Sequence, residues 1–296
     1  MKIVIGGASG FLGTTLVKEC ADDGHEVVAL VRGDKAPAGA RAVKWDGKTI
    51  GAWASEIDGA DVAINLAGTP IALPWTPENK EKIRNSRLDS TKAFRESIEA
   101  AARPPRVFLS GSAVGIYGDT ADREVDETAP PGSGFMPDLC QEWEQASRTG
   151  RTRVVNLRTG IVLGQDSGML PTLVKLTKAF LGGSVGSGEQ YIPWIHLEDW
   201  VRLVRWCGLG DAAGPVNLCA PRSVTNSEMM SSLRKVLGRP WAPPAPSLAV
   251  KALGALGGPD PSLALASTRV VPRLALAKGF TFKWPELEPA LKDLLD

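Results

Sequence analysis

The sequence is poor in the residues that bind metals or form redox pairs. Its 296 residues include only two histidines and four cysteines. The cysteines are Cys20, Cys140, Cys207 and Cys219, and no two of them form a C-x-x-C pair. Metal-ligand spacing is therefore absent. We expect no metal site and scattered, buried, reduced thiols, because cysteine is among the most often buried residues.

The sequence also lacks a surplus of one charge and a long apolar run. It has 34 basic and 33 acidic residues, whereas binding to nucleic acid or to an anionic membrane needs basic residues gathered on one face. No apolar stretch approaches the ~20 residues of a membrane helix. Met1-Lys2 leads directly into a short strand, without the apolar core of a signal peptide. We therefore expect a cytoplasmic protein whose partner is a small molecule rather than nucleic acid or a membrane.

The first half of the chain alternates short apolar runs with amphipathic stretches, as βαβ units do. The predicted strands are residues 2–6, 26–31, 42–45, 61–65, 106–110 and 153–157, and the predicted helices are residues 12–23, 78–101 and 138–147. Strands as apolar as these are usually covered on both faces. The pattern predicts an α/β protein whose residues 1–165 form a doubly wound parallel Rossmann sheet.

The second half of the chain has a different character. Helices are predicted at residues 170–181, 199–207 and 227–237, with a strand at 216–218 and a mostly helical tail at 264–295. A glycine-rich stretch at 182–188 and a proline-rich connection at 240–246 interrupt them. We expect a smaller, mixed C-terminal domain in residues 166–296, with about 190–220 returning to the Rossmann domain.

A glycine fingerprint follows the first predicted strand. It reads Gly7-Ala8-Ser9-Gly10-Phe11-Leu12-Gly13 and opens the first predicted helix. The first glycine permits a tight turn, the second lets the backbone approach a pyrophosphate, and the third lets the helix pack closely on the strand. The pyrophosphate would sit on free N–H groups at the positive end of the helix dipole. The segment predicts a dinucleotide cofactor.

The end of the second predicted strand indicates which dinucleotide. NAD sites usually place an acidic residue there to bind the ribose 2′-hydroxyl, but this strand runs into Arg32. A guanidinium at that position would pair with a 2′-phosphate. Asp34, two residues further on, favours NAD instead, because it is an acidic residue near the strand end. The sequence favours NADP(H).

Several segments resemble the short-chain dehydrogenase/reductase superfamily, and its extended branch of nucleotide-sugar epimerases and dehydratases most closely. Besides the glycine fingerprint, the resemblance lies in Asn65-Leu66-Ala67-Gly68, Ser110-Gly111-Ser112-Ala113-Val114-Gly115-Ile116-Tyr117-Gly118, Leu157-Arg158-Thr159-Gly160 and Trp194-Ile195-His196-Leu197-Glu198-Asp199. Trp45-Asp46, Trp75 with Ser86-Arg87, Gly186-Ser187-Gly188-Glu189-Gln190 and Trp284-Pro285-Glu286-Leu287 are similar to an atypical subgroup called epimerase family proteins. That subgroup has its own small C-terminal domain, here about residues 247–296.

The resemblance implies further cofactor contacts. The backbone of Leu66, Ala67 and Gly68 should lie along the cofactor, and Lys82 and Arg87 could reach its phosphates, with Arg87 the better candidate. It also implies a possible homodimer through the long helices, which is an argument from fold alone.

The superfamily's usual Tyr-x-x-x-Lys pair is missing. The chain has only two tyrosines, Tyr117 and Tyr191, and neither has a lysine four residues on. Where the extended branch places the pair, this chain has residues 135–144, with no tyrosine or lysine. Ser112 and Tyr117 are the best replacements, because ligands in open α/β sheets bind at the carboxyl edge of the strands. Ser110 is an alternative to Ser112.

A substrate cleft between the two domains is predicted at Glu189, Gln190, Trp194 and His196, since loops there carry function. His196 is also a weaker candidate for proton transfer. Three hypotheses stay open. In the first, the chain is an NADP-dependent oxidoreductase or epimerase/dehydratase that acts on a small polar or nucleotide-sugar-like substrate. In the second, it is a non-catalytic redox sensor or structural factor that binds NADP(H). In the third, it has lost the ability to bind a cofactor.

Overall fold

The computed structural model describes residues 1–296, with the exception of the side chain at position 253. The strands are β1 (Lys2–Gly6), β2 (Glu26–Val31), β3 (Arg41–Lys44), β4 (Val62–Asn65), β5 (Val107–Ala113), β6 (Glu124–Val125), β7 (Arg153–Thr159), β8 (Ile161–Leu163), β9 (Tyr191–Ile192), β10 (Trp194–His196), β11 (Gly214–Leu218), β12 (Val224–Thr225) and β13 (Arg269–Val270). The helices are α1 (Phe11–Asp22), α2 (Pro77–Ala100), α3 (Phe135–Ala146), α4 (Leu170–Lys178), α5 (Leu197–Leu209), α6 (Asn226–Val236), α7 (Ser247–Ala255), α8 (Ser262–Leu265), α9 (Arg273–Ala277) and α10 (Leu287–Leu295).

Seven strands form one parallel sheet in the order β11-β7-β5-β4-β1-β2-β3. The order reverses direction at β1, which is the switch point of a doubly wound sheet. The predicted fold class is therefore confirmed. β11 comes from the second half of the chain and pairs with β7, so the chain returns to the main sheet after α5.

Alternate residues of the strands face two different layers of helices, because successive side chains of a strand point to opposite faces. Ile3 and Ile5 of β1 belong to one buried cluster with Leu16 of α1 and Trp200 of α5. Val4, between them, belongs to another, whose members include Phe94 of α2. Both faces of the sheet are thus covered, which explains why its strands read as nearly continuous apolar runs.

The smaller C-terminal region packs around a core of its own. α6 and α10 share a buried cluster that includes Met229, Leu233, Leu291 and Leu294. Asp199, fully buried in α5, accepts hydrogen bonds from the backbone N–H groups of Lys283 (2.9 Å) and Trp284 (2.7 Å). These contacts tie the C-terminal region to a helix of the Rossmann sheet.

The structure differs from the sequence-based expectation in two helical segments. α4 ends at Lys178 rather than at residue 181, because Phe180 adopts a left-handed conformation (φ 63°). There the Leu181 N–H donates to the Leu176 carbonyl, as at a Schellman helix end. The tail predicted as mostly helical instead contains β13, which pairs with β6 about 145 residues earlier in the chain. Pairing between two strands so far apart in the chain leaves no pattern in the local sequence.

Among the residues described, no helix is both long and apolar enough to cross a membrane.

Candidate functional site

The glycine turn, residues 7–13, has the close backbone contacts that its sequence predicts. Gly7 has φ 76°, and a Cβ atom there would lie 2.6 Å from the Leu66 carbonyl carbon and 2.7 Å from the Ala67 nitrogen. A Cβ on Gly13 would lie 2.2 Å from the Gly7 carbonyl oxygen. Only glycine fits either position. The turn therefore brings the backbone after β1 against Leu66 and Ala67 after β4.

The start of α1 is free to receive an anion. Its N-cap residue, Gly10, provides no side-chain cap, and the first turn contains no acidic residue. Gly10 N–H donates to Gly7 O (3.1 Å), which closes the turn. Unsatisfied N–H groups and the positive end of the helix dipole together suit a phosphate group. Gly7, Ala8, Ser9, Gly10, Phe11, Leu12 and Gly13 thus form a cradle that fits a pyrophosphate.

Arg32 lies just past the end of β2, exposed and without an ion-pair partner among the residues described. Asp34, the argument for NAD, lies 3.6 Å from Lys44 Nζ and is 90% exposed. A solvated carboxylate beside a lysine is a weaker candidate for a ribose hydroxyl than a residue held at the strand end. The geometry leaves Arg32 available for a 2′-phosphate.

Lys82 and Arg87 do not come together. Lys82 is exposed and pairs with Glu78 at 2.6 Å. Arg87 is packed inside, where Nη1 donates to the carbonyls of Thr69 (2.9 Å) and Ile83 (3.1 Å). Burial lowers the pKa of Arg87. The expectation that Lys82 contacts the cofactor has no support in this geometry and stays a prediction.

Arg87 also lies against the loop after β4. A Cβ atom on Gly68 would lie 3.2 Å from Arg87 Cζ. The guanidinium is stacked over Trp143, 5.1 Å from the ring centroid. Gly68 directly follows Leu66 and Ala67, whose backbone the glycine turn contacts. The side chain of Arg87 therefore lies next to the three residues predicted to line the cofactor, Leu66, Ala67 and Gly68.

Ser112 and Tyr117 belong to one buried polar network, which we define as Ser112, Tyr117, Glu144, Arg158 and Asn217. Ser112 Oγ donates to Glu144 Oε1 at 2.7 Å. Arg158 donates to both Glu144 oxygens, at 2.8 Å from Nε and 3.0 Å from Nη2. Tyr117 accepts from Arg158 Nη1 at 2.8 Å and donates to Asn217 Oδ1 at 2.7 Å. The structure therefore joins the two predicted catalytic residues through Glu144 and Arg158.

The network shifts the pKa values of Tyr117 and Arg158. Burial raises the pKa of Tyr117 to about 12, although the Arg158 charge opposes this. Burial alone would lower the pKa of Arg158, but Glu144 raises it above its ordinary value. Tyr117 is therefore a neutral phenol at neutral pH, with its proton committed to Asn217. Its catalytic role, and that of Ser112, stay predictions.

Sequence reasoning missed Glu144 and Asn217 as members of the site and gave Arg158 no role. The available signal was polar residues within apolar strands, at Arg158 in β7 and Asn217 in β11. Ser110, the alternative to Ser112, has a buried Oγ without a hydrogen-bond partner in the part of the chain that the structure describes.

The predicted cleft residues mostly hold the fold together. Glu189 is exposed, whereas Gln190 donates to the carbonyls of Val185 and Ala264, each at 3.1 Å. Trp194 is 1% exposed and donates to the Arg222 carbonyl at 3.1 Å. None of these residues hydrogen-bonds to Ser112 or Tyr117 within the described chain. A substrate-binding role for them stays a prediction.

His196 is buried at the start of α5, where Nδ1 accepts from the Glu198 N–H at 3.0 Å. Nε2 lies 3.2 Å from Asp293 Oδ2 of α10. Burial lowers the pKa of His196, although the nearby carboxylates oppose this. The side chain caps α5 and faces the C-terminal helix, and its predicted place in a substrate cleft stays a prediction.

A glycine turn at the first strand end, an open N-terminus of the first helix and a doubly wound sheet define a dinucleotide-binding α/β protein. Comparison with known families agrees with this class. Residues 3–216 match the NAD dependent epimerase/dehydratase family, and residues 245–294 match DUF1731, a domain of unknown function. The chain belongs to the NAD dependent epimerase/dehydratase family.

Named relatives match the chain over its full length. The chain is 33% identical to the human epimerase family protein SDR39U1 over 302 residues, which is 100% of each chain. It is 34% identical to the chloroplastic SDR39U1 homolog of Arabidopsis thaliana, covering 100% of this chain and 87% of the relative. The resemblance to epimerase family proteins is thus confirmed.

Two solved structures are similar to this fold. The crystal structure of human SDR39U1 (isoform 2) with NADPH has a TM-score of 0.89 and 33% identity, and the match covers 99% of both chains. A nucleoside-diphosphate sugar epimerase from Corynebacterium glutamicum has a TM-score of 0.80 and 31% identity, covering 100% of this chain and 58% of that one.

Proposed function

We propose that this chain binds NADP(H) on the glycine turn, with Arg32 on the 2′-phosphate and the backbone of Leu66, Ala67 and Gly68 along the cofactor. The observation that carries the proposal is the cradle itself, where a Cβ on Gly7 or Gly13 would collide with backbone. The uncapped start of α1 supplies the N–H groups for the pyrophosphate. The NADPH-bound relative, with a TM-score of 0.89, supports the same cofactor.

The reaction that fits best is an oxidoreduction or an epimerase/dehydratase reaction on a small polar or nucleotide-sugar-like substrate. NADP(H) would supply the hydride chemistry. α3 carries no Tyr-x-x-x-Lys pair, so proton transfer must use another group. Ser112 and Tyr117 lie at and just beyond the carboxyl end of β5. In the proposed role Tyr117 holds Arg158 and Asn217 in place as a neutral phenol, and Ser112 or a substrate group exchanges the proton.

Calorimetric titration tests the cofactor. The wild-type protein should bind NADPH more tightly than NADH, because only NADPH offers a 2′-phosphate to Arg32. Arg32→Ala should weaken NADPH binding by about 1.5–3 kcal/mol, the worth of a hydrogen bond to a charged group, and leave NADH binding unchanged. Arg148→Ala removes an exposed arginine beyond the C-terminal end of α3 and serves as the matched control. Equal loss in both variants, or no heat with NADPH, would contradict the proposal.

A second candidate function is a non-catalytic redox sensor that binds NADP(H). The observation that favours it is the closed network, in which Tyr117 is 2% exposed and both of its hydrogen-bonding directions are filled. A sensor must bind NADP⁺ and NADPH with different affinities. Equal affinities would exclude this candidate, whereas NADPH oxidation with any member of a substrate panel, reduced in Ser112→Ala, would favour the enzyme.

A further inference from the structure

One face of α2 carries two cations that lie over aromatic rings. Lys80 Nζ is 5.8 Å from the ring centroid of Trp75 and 5.2 Å from that of Phe135. Arg87, two helical turns further on, is 5.1 Å from the Trp143 ring. Residues seven apart on a helix share one face. We call Trp75, Lys80, Arg87, Phe135 and Trp143 the cationic wall.

The two cations of the wall differ from their neighbours on the same helix. Lys82 pairs with Glu78, and Arg84 pairs with Glu142, both at 2.6 Å. Neither Lys80 nor Arg87 has a carboxylate partner among the residues described. A guanidinium removed from water without an anion is unfavourable. An incoming anion would offset that cost, so the positive charge of the wall suits an anionic ligand.

The wall lies after β4, on the half of the sheet next to the one whose first helix holds the pyrophosphate of a dinucleotide. Arg87 contacts Gly68 and Thr69, immediately after β4. The pyrophosphate of a Rossmann cofactor sits at the first helix, and the half beginning at β4 receives the nicotinamide nucleoside. An anion bound at Arg87 would therefore belong to a molecule other than the cofactor.

The aromatic members of the wall indicate what the anion is attached to. Trp75 and Phe135 are partly exposed and lie edge to face, with ring centroids 4.9 Å apart. The Trp75 indole N–H already donates to the Ile71 carbonyl (3.1 Å), so the ring offers apolar surface rather than a hydrogen bond. Apolar walls with a few convergent charges are typical of small-molecule sites.

We propose that the cationic wall binds the substrate, and that the substrate is a small organic anion with an apolar body. Its charge pairs with Arg87 and Lys80, and its body packs on Trp75 and Phe135. The proposal rests on the proposed function in one respect, since it places the wall beside the nicotinamide half of a bound cofactor. It reassigns Arg87 from the cofactor phosphates to the substrate.

Benzoate is a suitable probe, with benzamide as the uncharged control and acetate as the anion without an apolar body. Each is titrated against the protein saturated with NADPH and observed by saturation-transfer NMR and tryptophan fluorescence. Benzoate should bind at least about 10-fold more tightly than either control, the effect of one charge-assisted hydrogen bond. Equal binding of benzoate and benzamide would overturn the proposal.

Variants then separate substrate from cofactor. Arg87→Met should weaken benzoate binding at least about 10-fold and leave NADPH affinity within about 3-fold of wild type, with Arg87→Lys in between. Lys80→Met should weaken benzoate about 3-fold, an exposed-pair effect, and it also tests the wall if Arg87→Met fails to fold. Lys92→Met, which removes an exposed lysine further along the same helix, should change neither ligand.

The opposite pattern has a clear meaning. If Arg87→Met weakens NADPH about 10-fold and leaves benzoate unchanged, Arg87 belongs to the cofactor and the proposal is wrong. A wild-type protein that binds benzoate but not NADPH contradicts the proposed cofactor and supports the wall, so the two proposals fail separately.

Discussion

The glycine turn and the buried polar network lie at the same edge of the sheet but are built from different chemistry. The turn contains no charged side chain. Its backbone segments lie so close together that a Cβ atom on Gly7 or Gly13 would collide with the neighbouring backbone. The network consists of side chains, and its centre is the ion pair of Arg158 and Glu144, whose side chains are 8% and 13% exposed. The turn thus depends on glycines that have no side chain, whereas the network depends on a buried ion pair.

This difference determines how each region fails. Adding one methyl group to the turn distorts a binding surface, and the packing energy that it costs is smaller than that of an unpaired buried charge. Removing one partner from the network leaves the other as a buried, uncompensated charge, which is among the most destabilising changes a core can undergo. We therefore expect the turn to control cofactor affinity and the network to control folding stability. Three substitutions test this division.

Glu144→Ala should have the largest effect. It leaves the Arg158 guanidinium buried with Tyr117 and the Glu127 carbonyl as its remaining partners. Breaking a buried pair in this way costs about 3–5 kcal/mol of unfolding free energy. Urea unfolding at pH 7 measures the loss. Glu142→Ala is the matched control from the same helix, because its pair with Arg84 is about half exposed and contributes about 0–1 kcal/mol. Similar losses in the two variants would remove the distinction.

Gly13→Ala should have the next largest effect, and on cofactor binding first. Its Cβ would lie 2.2 Å from the Gly7 carbonyl oxygen and 2.7 Å from Ala8 Cα, so the turn must shift. We expect NADPH affinity to fall about 100-fold, together with an overpacking loss of about 1–3 kcal/mol in stability. Gly150→Ala is the control, because a Cβ there meets no atom within 4 Å and its φ is not positive. A Gly13→Ala protein that binds NADPH normally would show that the turn does not hold the cofactor.

The same comparison explains what could be predicted from the sequence. The glycine turn lies within seven consecutive residues, so local spacing, a preceding strand and a following helix were enough to find it. The network joins residues far apart along the chain, with separations of 32 for Ser112 and Glu144 and 100 for Tyr117 and Asn217. Such partners are brought together by the order of β5, β7 and β11 in the sheet. The sequence identifies Ser112 and Tyr117 as candidates from their residue types, but only the tertiary structure shows which residues they contact.

Tyr117→Phe should have the smallest effect of the three, and its pH dependence gives the most detailed test of the network. The substitution leaves the buried Asn217 Oδ1 without its donor, which costs about 1–3 kcal/mol at pH 7. Burial raises the pKa of Tyr117 to about 12, against about 10 in the unfolded chain. The folded state therefore holds this proton more tightly, and the resulting stability is complete below pH 10 and is lost between about pH 10 and pH 12.

The stability difference between wild type and Tyr117→Phe should accordingly narrow as the pH rises through that interval, by up to about 2–3 kcal/mol. Denaturant unfolding of both proteins between pH 7 and pH 11 covers about half of this change, about 1.4 kcal/mol for one pH unit above the unfolded pKa, and absorbance at 295 nm reports when the phenol ionises. Tyr191→Phe is the matched control, because the Tyr191 ring is only partly buried and can keep its contact with Arg269 at 5.0 Å. A difference that stays constant with pH would mean that folding leaves the pKa of Tyr117 at its ordinary value, and burial in the network would then not be what sets its protonation.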